Sequence, residues 1–120
     1  MVNILIADDS DAVRYVLKEI LQIGEHTVVA EATNGVETID FYREHMPQLL
    51  MLDLAMPKKH GLEVVKDIIA IDPKAKIILV TASDDKKIIQ QCIDSGANSF
   101  ISKPFGFKDV LDAITKIMEN

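Results

Sequence analysis

Tryptophan is absent from the chain, and cysteine occurs once, as Cys92. A single thiol cannot close an internal disulfide, which excludes the stapled scaffolds of small secreted proteins and leaves Cys92 as packed apolar surface. Glycine and proline are sparse, at five and four residues, so collagen-like and low-complexity chains are excluded as well. The apolar runs are short, far below the ~20 residues of a membrane span. No positive residue precedes Arg14, so nothing resembles a secretory signal. Basic charge is also in deficit: 13 Lys and Arg stand against 19 Asp and Glu, a formal net charge of -6. That balance opposes binding to nucleic acid or an anionic membrane, which needs a basic patch, and makes a cation the natural small partner. A cytoplasmic location is expected. His26, His45 and His60 have no ligand spacing and read as surface residues.

What is present is an ordinary globular composition, with 48% apolar and 27% charged residues over 120 positions. A chain of this size buries about two-thirds of its unfolded surface and needs no staple. One domain over residues 1–120 is expected, with no output domain. Apolar runs at 4–7, 27–32, 49–52, 77–80 and 99–101 read as five strands. Between them, Val13, Val16, Leu17, Ile20 and Leu21 recur at helical spacing, as do Phe107, Val110, Leu111, Ile114, Ile117 and Met118. Weaker helical stripes cover 35–45, 61–71 and 85–95, with Asn34 as a cap, Gly24 and Gly96 as stops, and Pro47 and Pro73 beyond the helix ends. Five βα units with near-continuous apolar strands predict an α/β fold. Its parallel sheet is doubly wound, with helices on both faces and the functional crevice beyond the carboxyl ends of the strands.

Those ends carry the chemistry. The first strand ends in Asp8-Asp9-Ser10-Asp11, the third in Asp53, the fourth in Thr81-Ala82-Ser83 and the fifth in Lys103-Pro104. Converging carboxylates repel, because each ionised neighbour disfavours the next. Lys103 supplies one compensating charge, and a hard divalent ion such as Mg²⁺, with oxygen ligands, would supply the rest. Taken alone, Asp8 or Asp9 reads equally well as the cap of the next helix. Asp53 does not, since Leu54-Ala55-Met56-Pro57 is a loop rather than a helix start.

These residues resemble the receiver domains of two-component response regulators. The resemblance rests on Asp8-Asp9, Asp53 followed by Met56-Pro57 and Gly61, Thr81-Ala82, and Lys103-Pro104-Phe105, in that order along the whole chain. Among receivers, the chain is similar to the stand-alone chemotaxis regulators. The resemblance implies a flavodoxin-like fold with strand order 2-1-3-4-5. It implies a signalling phosphoacceptor rather than an ordinary enzyme, one that catalyses only its own phosphorylation and slow dephosphorylation. Asp53 would take the phosphoryl group, with Lys103 and Thr81 assisting. Mg²⁺ would be held by Asp9, Asp53 and the backbone carbonyl of Ala55, with Asp8 acting mainly through water. Thr81 and Phe100 would form the switch, although an aromatic in a strand is ordinarily packing. The implied partners are a histidine kinase (CheA-like), a target protein associated with the flagellar motor, and a phosphatase; the protein itself would be a monomer. The target face would be the fourth helix, fifth strand and fifth helix, where Lys86, Lys87, Gln90 and Gln91 otherwise read as a solvated face. A cis Lys103-Pro104 bond is also implied.

Lys59 and His60 depart from the family pattern before Gly61. Ala55 and Ser83 are both small, at positions that tune phosphoryl lifetime in the family. A flavin or dinucleotide binder is excluded because the acids after the first strand would repel a phosphate, and an Asp-x-Asp phosphatase because the position of its second acid, two residues after the nucleophile, is occupied by Ala55. A phosphorelay intermediate, passing its phosphoryl group to a histidine phosphotransferase, shares every site residue and stands as the alternative.

Overall fold

The computed structural model describes residues 1–119. Strands β1 (Asn3–Ala7), β2 (Thr27–Ala32), β3 (Leu49–Leu52), β4 (Ile77–Thr81) and β5 (Ser99–Ser102) alternate with helices α1 (Asp11–Ile23), α2 (Gly35–His45), α3 (Gly61–Ile71), α4 (Lys86–Asp94) and α5 (Phe107–Met118). All strand pairs are parallel, in the order β2-β1-β3-β4-β5. Strand residues alternate between the faces, so the sheet carries two cores. Leu5, Ala7, Leu50, Leu52, Ile77 and Leu79 pack against α2, α3 and α4 through Tyr42, Val64, Val65, Ile68 and Cys92. Ile4, Ile6, Leu49, Met51, Ile78 and Val80 pack against α1 and α5 through Leu17, Leu21, Val110 and Ile114.

The helix starts are set by side chains that accept otherwise orphaned amide protons. Asn34 accepts the Glu37 amide at 2.9 Å, and the Glu37 carboxylate accepts the amide and hydroxyl of Thr33 at 2.8 and 2.7 Å. These bonds hold the Glu37 carboxyl below the usual carboxylate range. Ser10, not Asp8 or Asp9, caps α1 by accepting the Val13 amide at 3.2 Å. Both aspartates are therefore left for another purpose. Gly24 does end α1, but not through a left-handed backbone: its φ is -80°, and Glu25 takes the left-handed turn at φ 63°. The end of the Leu111 side chain of α5 packs where a Cβ at residue 24 would stand, so a larger residue there would have to push it aside.

Three expectations are corrected by the packing. Burial on both faces holds for β3 and β4 and fails at the sheet edges, where β2 is only half-buried and Phe100 of β5 is 50% exposed. Phe100 is therefore not core. Cys92 is fully buried among the residues of the α2–α4 side rather than lying at the surface. His45 and His60 are exposed, but His26 is half-buried against the start of β2, and desolvation holds its imidazole toward the neutral form.

The contrast within β5 is measurable. Ile101 is 7% exposed and its neighbour Phe100 is half in solvent. Ile101→Ala is expected to cost about 2–5 kcal/mol and Phe100→Ala about 1 kcal/mol or less in urea unfolding, as the cavity cost falls only on the buried side chain. Equal losses would place Phe100 in the core after all.

Candidate functional site

The register that pairs Ala7 with Leu52 puts the next residues, Asp8 and Asp53, side by side at the sheet end. Backbone bonds extend the alignment past the strands: the Asp53 amide donates to Ala7 O at 2.8 Å and the Asp8 amide to Ala32 O at 3.0 Å. Asp8 is 1% and Asp53 5% exposed, while Asp9 faces solvent. One carboxylate oxygen from each of the three lies within 4.8 Å of the others.

Lys103 enters from the far edge of the sheet. Its amide donates to Thr81 O at 2.8 Å as β5 ends, and the Lys103-Pro104 bond that follows is cis. Its Nζ donates to Asp8 Oδ2 at 2.8 Å and stands 3.6 Å from Asp53 Oδ1. Asp8 Oδ1 accepts the Ser10 amide at 2.9 Å, and Asp53 Oδ1 accepts the Ala55 amide at 3.3 Å. Two carboxylates thus share one ammonium, with the Asp9 carboxylate beside them. Burial first, then the charge of Asp8, pushes the Asp53 carboxyl above its ordinary value; Lys103 and the Ala55 amide oppose this, and Asp9 adds to the rise. The donors are all hard oxygens, with no imidazole or thiolate among them, and the net charge is anionic. That chemistry fits a divalent cation of the Mg²⁺ class.

A second cation braces the acidic loop from behind. Arg14 donates to the Asp8 carbonyl at 2.7 Å and to Glu31 Oε1 at 3.1 Å, and also pairs with Asp11. Lys18 joins Glu31 at 3.0 Å. Sequence reasoning gave Arg14 no role. Its signal was Glu31, an acid in an otherwise apolar edge strand, together with the Asp11-to-Arg14 spacing of one helical turn.

Comparisons with known proteins identify the family. Residues 4–115 match the family model described as the response regulator receiver domain. The chain is 40% identical to the chemotaxis protein CheY of Bacillus subtilis over 116 residues, covering 97% of each chain. It is a response regulator receiver domain. It is also 38% identical to CheY of Thermotoga maritima, over 96% of each chain, and 36% identical to protein CcdB of Bacillus subtilis, over 98% of each. Among solved structures, it superposes at a TM-score of 0.93 and 28% identity on a crystal structure of a CheX-CheY-BeF3-Mg complex from Borrelia burgdorferi. That match covers 97% of this chain and 88% of the other.

The receiver fold brings Asp8, Asp9, Asp53 and Lys103 together. Thr81 ends β4 beside them, is 1% exposed, and accepts the Ser83 amide on its hydroxyl at 3.0 Å. Phe100 lies apart, on the outer side of β5. Ala55 and Ser83 are both exposed at the mouth of the site. Of the two departures, Lys59 is drawn away to an ion pair with Asp67 of α3, and His60 faces solvent. Beside Lys103, an apolar groove of about 440 Å³ is lined by Ala12, Val13, Val16, Ala82, Pro104 and Phe105. No helix among the described residues is long and apolar enough to cross a membrane.

The crowding has a measurable cost. A carboxyl whose pKa is raised on folding binds its proton more tightly in the folded state. Its ionisation therefore destabilises the fold as pH rises above the ordinary carboxylate range. In metal-free buffer, Asp53→Asn is expected to gain about 1 kcal/mol at neutral pH. The gain should vanish in acid, where the wild-type carboxyl is protonated. A lower melting temperature for Asp53→Asn at pH 7 without metal would contradict the electrostatic account.

Proposed function

We propose that this receiver domain is a phosphoacceptor switch. Asp53 takes a phosphoryl group from a phosphohistidine of a histidine kinase, and the phosphorylated form changes its affinity for a target protein in chemotaxis or flagellar motor control. The observation that carries the proposal is Asp53 itself, a buried carboxylate at the end of a central strand with two acids and one lysine around it. Asp9, Asp53 and the Ala55 carbonyl would hold Mg²⁺, with Asp8 acting through water. When bound, the ion offsets the repulsion between an anionic nucleophile and an anionic phosphoryl group.

The chain's own residues then have separate tasks. An Asp53 oxygen attacks phosphorus while the P–N bond of the donor breaks, and the donor imidazole leaves with the bonding pair. Lys103, already 3.6 Å from Asp53 Oδ1, stabilises charge on the transferring oxygens. The Thr81 hydroxyl accepts from Ser83, so its own proton remains to be donated to a phosphoryl oxygen. The apolar groove beside Lys103 gives a protein donor a surface to rest on. Catalysis is confined to this self-phosphorylation and its slow reversal by water, with a separate phosphatase completing the cycle.

The CheY relatives support the chemotaxis setting, since the chain and each of them match over nearly their whole lengths. Residues 1–120 would act as one receiver unit, monomeric and cytoplasmic, whose output is a partner contact. That contact would be made by α4, β5 and α5, where Lys86, Lys87, Gln90 and Gln91 are exposed beside half-exposed Phe100. Movement of Thr81 toward the phosphoryl group would vacate space beside β5 into which Phe100 turns.

Incubation with acetyl phosphate and Mg²⁺ is expected to add one phosphoryl group to the wild type and none to Asp53→Asn, read by intact mass. Equal modification of the variant would overturn the assignment. Thr81→Ala should still be phosphorylated, yet bind a target captured by the phosphorylated wild type equally well in both states. If the captured partner is a histidine phosphotransferase that removes the phosphoryl group, the phosphorelay function replaces the chemotaxis one.

A further inference from the structure

The loop from Asp53 to His60 carries the Ala55 carbonyl, and its shape is imposed from outside. Lys58 adopts φ 71°, a left-handed conformation that a lysine does not choose for itself. Met56 is 5% exposed and anchors the loop in the core, and at the far end Gly61 lies so close under Leu54 that a Cβ there would stand 2.9 Å from its Cα. The middle of the loop rests on a different element, the first turn of α2. Gly35, the first residue of that helix, is buried and donates its amide to Pro57 O at 3.2 Å. A Cβ on Gly35 would meet the Lys59 side chain and stand 2.8 Å from its carbonyl oxygen and 3.1 Å from its Cα. The neighbouring Asn34 and Glu37 bonds fix that first turn, and the Lys59–Asp67 pair holds the loop's other side to α3. The loop is therefore clamped between two helices, and one wall of the clamp has no side chain.

Resting on the assignment of the Ala55 carbonyl as a metal ligand, we propose that Gly35 is a positioning residue for divalent-ion binding. By admitting the Pro57–Lys59 backbone against α2, it sets where the Ala55 carbonyl sits relative to Asp9 and Asp53. A methyl group at residue 35 meets backbone as well as a flexible side chain, so the loop must shift outward and the oxygen with it. The local helix would not object, because alanine is a better helix former than glycine. Any harm from the substitution thus originates in the loop contact.

The test is calorimetric titration of Mg²⁺ into wild type, Asp53→Asn, Gly35→Ala and the double variant Gly35→Ala/Lys59→Gly. It is paired with hydrogen exchange of the Ala55 and Met56 amides in metal-free buffer. Gly35→Ala is expected to bind Mg²⁺ about 10- to 100-fold more weakly than wild type, as substitutions supporting a ligand typically do. Its loop amides should exchange faster before any metal is added. The double variant removes the Lys59 side chain but not its carbonyl, so it should recover part of the affinity. If Gly35→Ala does not fold, the double variant carries the measurement and is expected to bind more weakly than wild type. Wild-type affinity in Gly35→Ala, or a fall in its melting temperature alone with affinity unchanged, overturns the role of Gly35 and leaves the metal site standing. A wild type that does not bind Mg²⁺, or an Asp53→Asn that binds it equally, overturns the metal assignment and this inference with it.

Discussion

Two carboxylates, Asp8 and Asp53, are buried within reach of a single ammonium, with a third acid beside them, and much of the structure exists to make that arrangement tolerable. Burying an ionised group without a partner is far costlier than any single contact elsewhere in the domain. Lys103 reaches both aspartates but must come from β5, which two strands separate from β1. Three strand spacings of ~4.8 Å amount to about 14 Å, beyond a lysine's length. The gap closes because the chain bends over the sheet end directly after Ser102, tied to Thr81 O as it does so. The loop after β5 is thus as much a part of the site as the acids. Arg14 performs the matching task on the opposite side, pinning the Asp8 carbonyl so that the loop cannot relax its carboxylates apart.

The remaining imbalance of charge makes the site responsive. With three acids against one lysine, the Asp53 carboxyl sits above its ordinary range, and whatever neutralises it stabilises the fold. A divalent cation does so reversibly. Phosphorylation of Asp53, as proposed, would change the problem in kind, because it would move negative charge off the carboxylate and outward onto phosphoryl oxygens that require donors. Lys103 and the Thr81 hydroxyl are the groups at hand.

The scaffold was legible because two periodicities alternate along the chain. The runs at 27–32 and 49–52 coincide with β2 and β3, and the stripes at 35–45 and 61–71 with α2 and α3. Strands β1, β4 and β5 each run a residue beyond the apolar segment, since a parallel ladder bonds backbone and is indifferent to whether Asn3, Thr81 or Ser102 is apolar. The convergence of Asp8, Asp9, Asp53 and Lys103 was likewise legible, as strand ends in a parallel sheet share one edge. What composition and period did not carry were distances between elements remote in sequence. Arg14 against the Asp8 carbonyl, Leu111 over Gly24, and Gly35 against Lys59 are packing facts that no local pattern announces. The sequence offered Asp8 or Asp9 as the cap of α1, but the Ser10 hydroxyl takes it, while Asp8 accepts the Ser10 amide and Lys103 instead. Phe100 and Cys92 are both apolar, but the strand order puts Phe100 on an edge strand, whereas Cys92 lies on the face of α4 that packs into the core.

That difference between edge and centre bears on how a signal leaves the site. Strands β3 and β4 are buried along their whole length, so a rearrangement inside them would open cavities and be resisted. β5 has a neighbour on one side only, and its outward residues Phe100 and Ser102 are exposed. Thr81 pairs with Ser102 and Leu79 with Phe100, so the residue that meets the site and the residue that meets solvent lie on adjacent strands. Grooves flank Phe100 on both sides, one toward Lys76 and Lys116 and one toward Pro104 and Asp109. A half-exposed ring with open space around it exchanges one set of modest contacts for another when it turns, at little cost in core packing. A buried ring could change the surface only by disrupting the core, whereas one at the sheet edge would, in the proposed switch, change what a partner meets while the core that holds Asp53 stays intact.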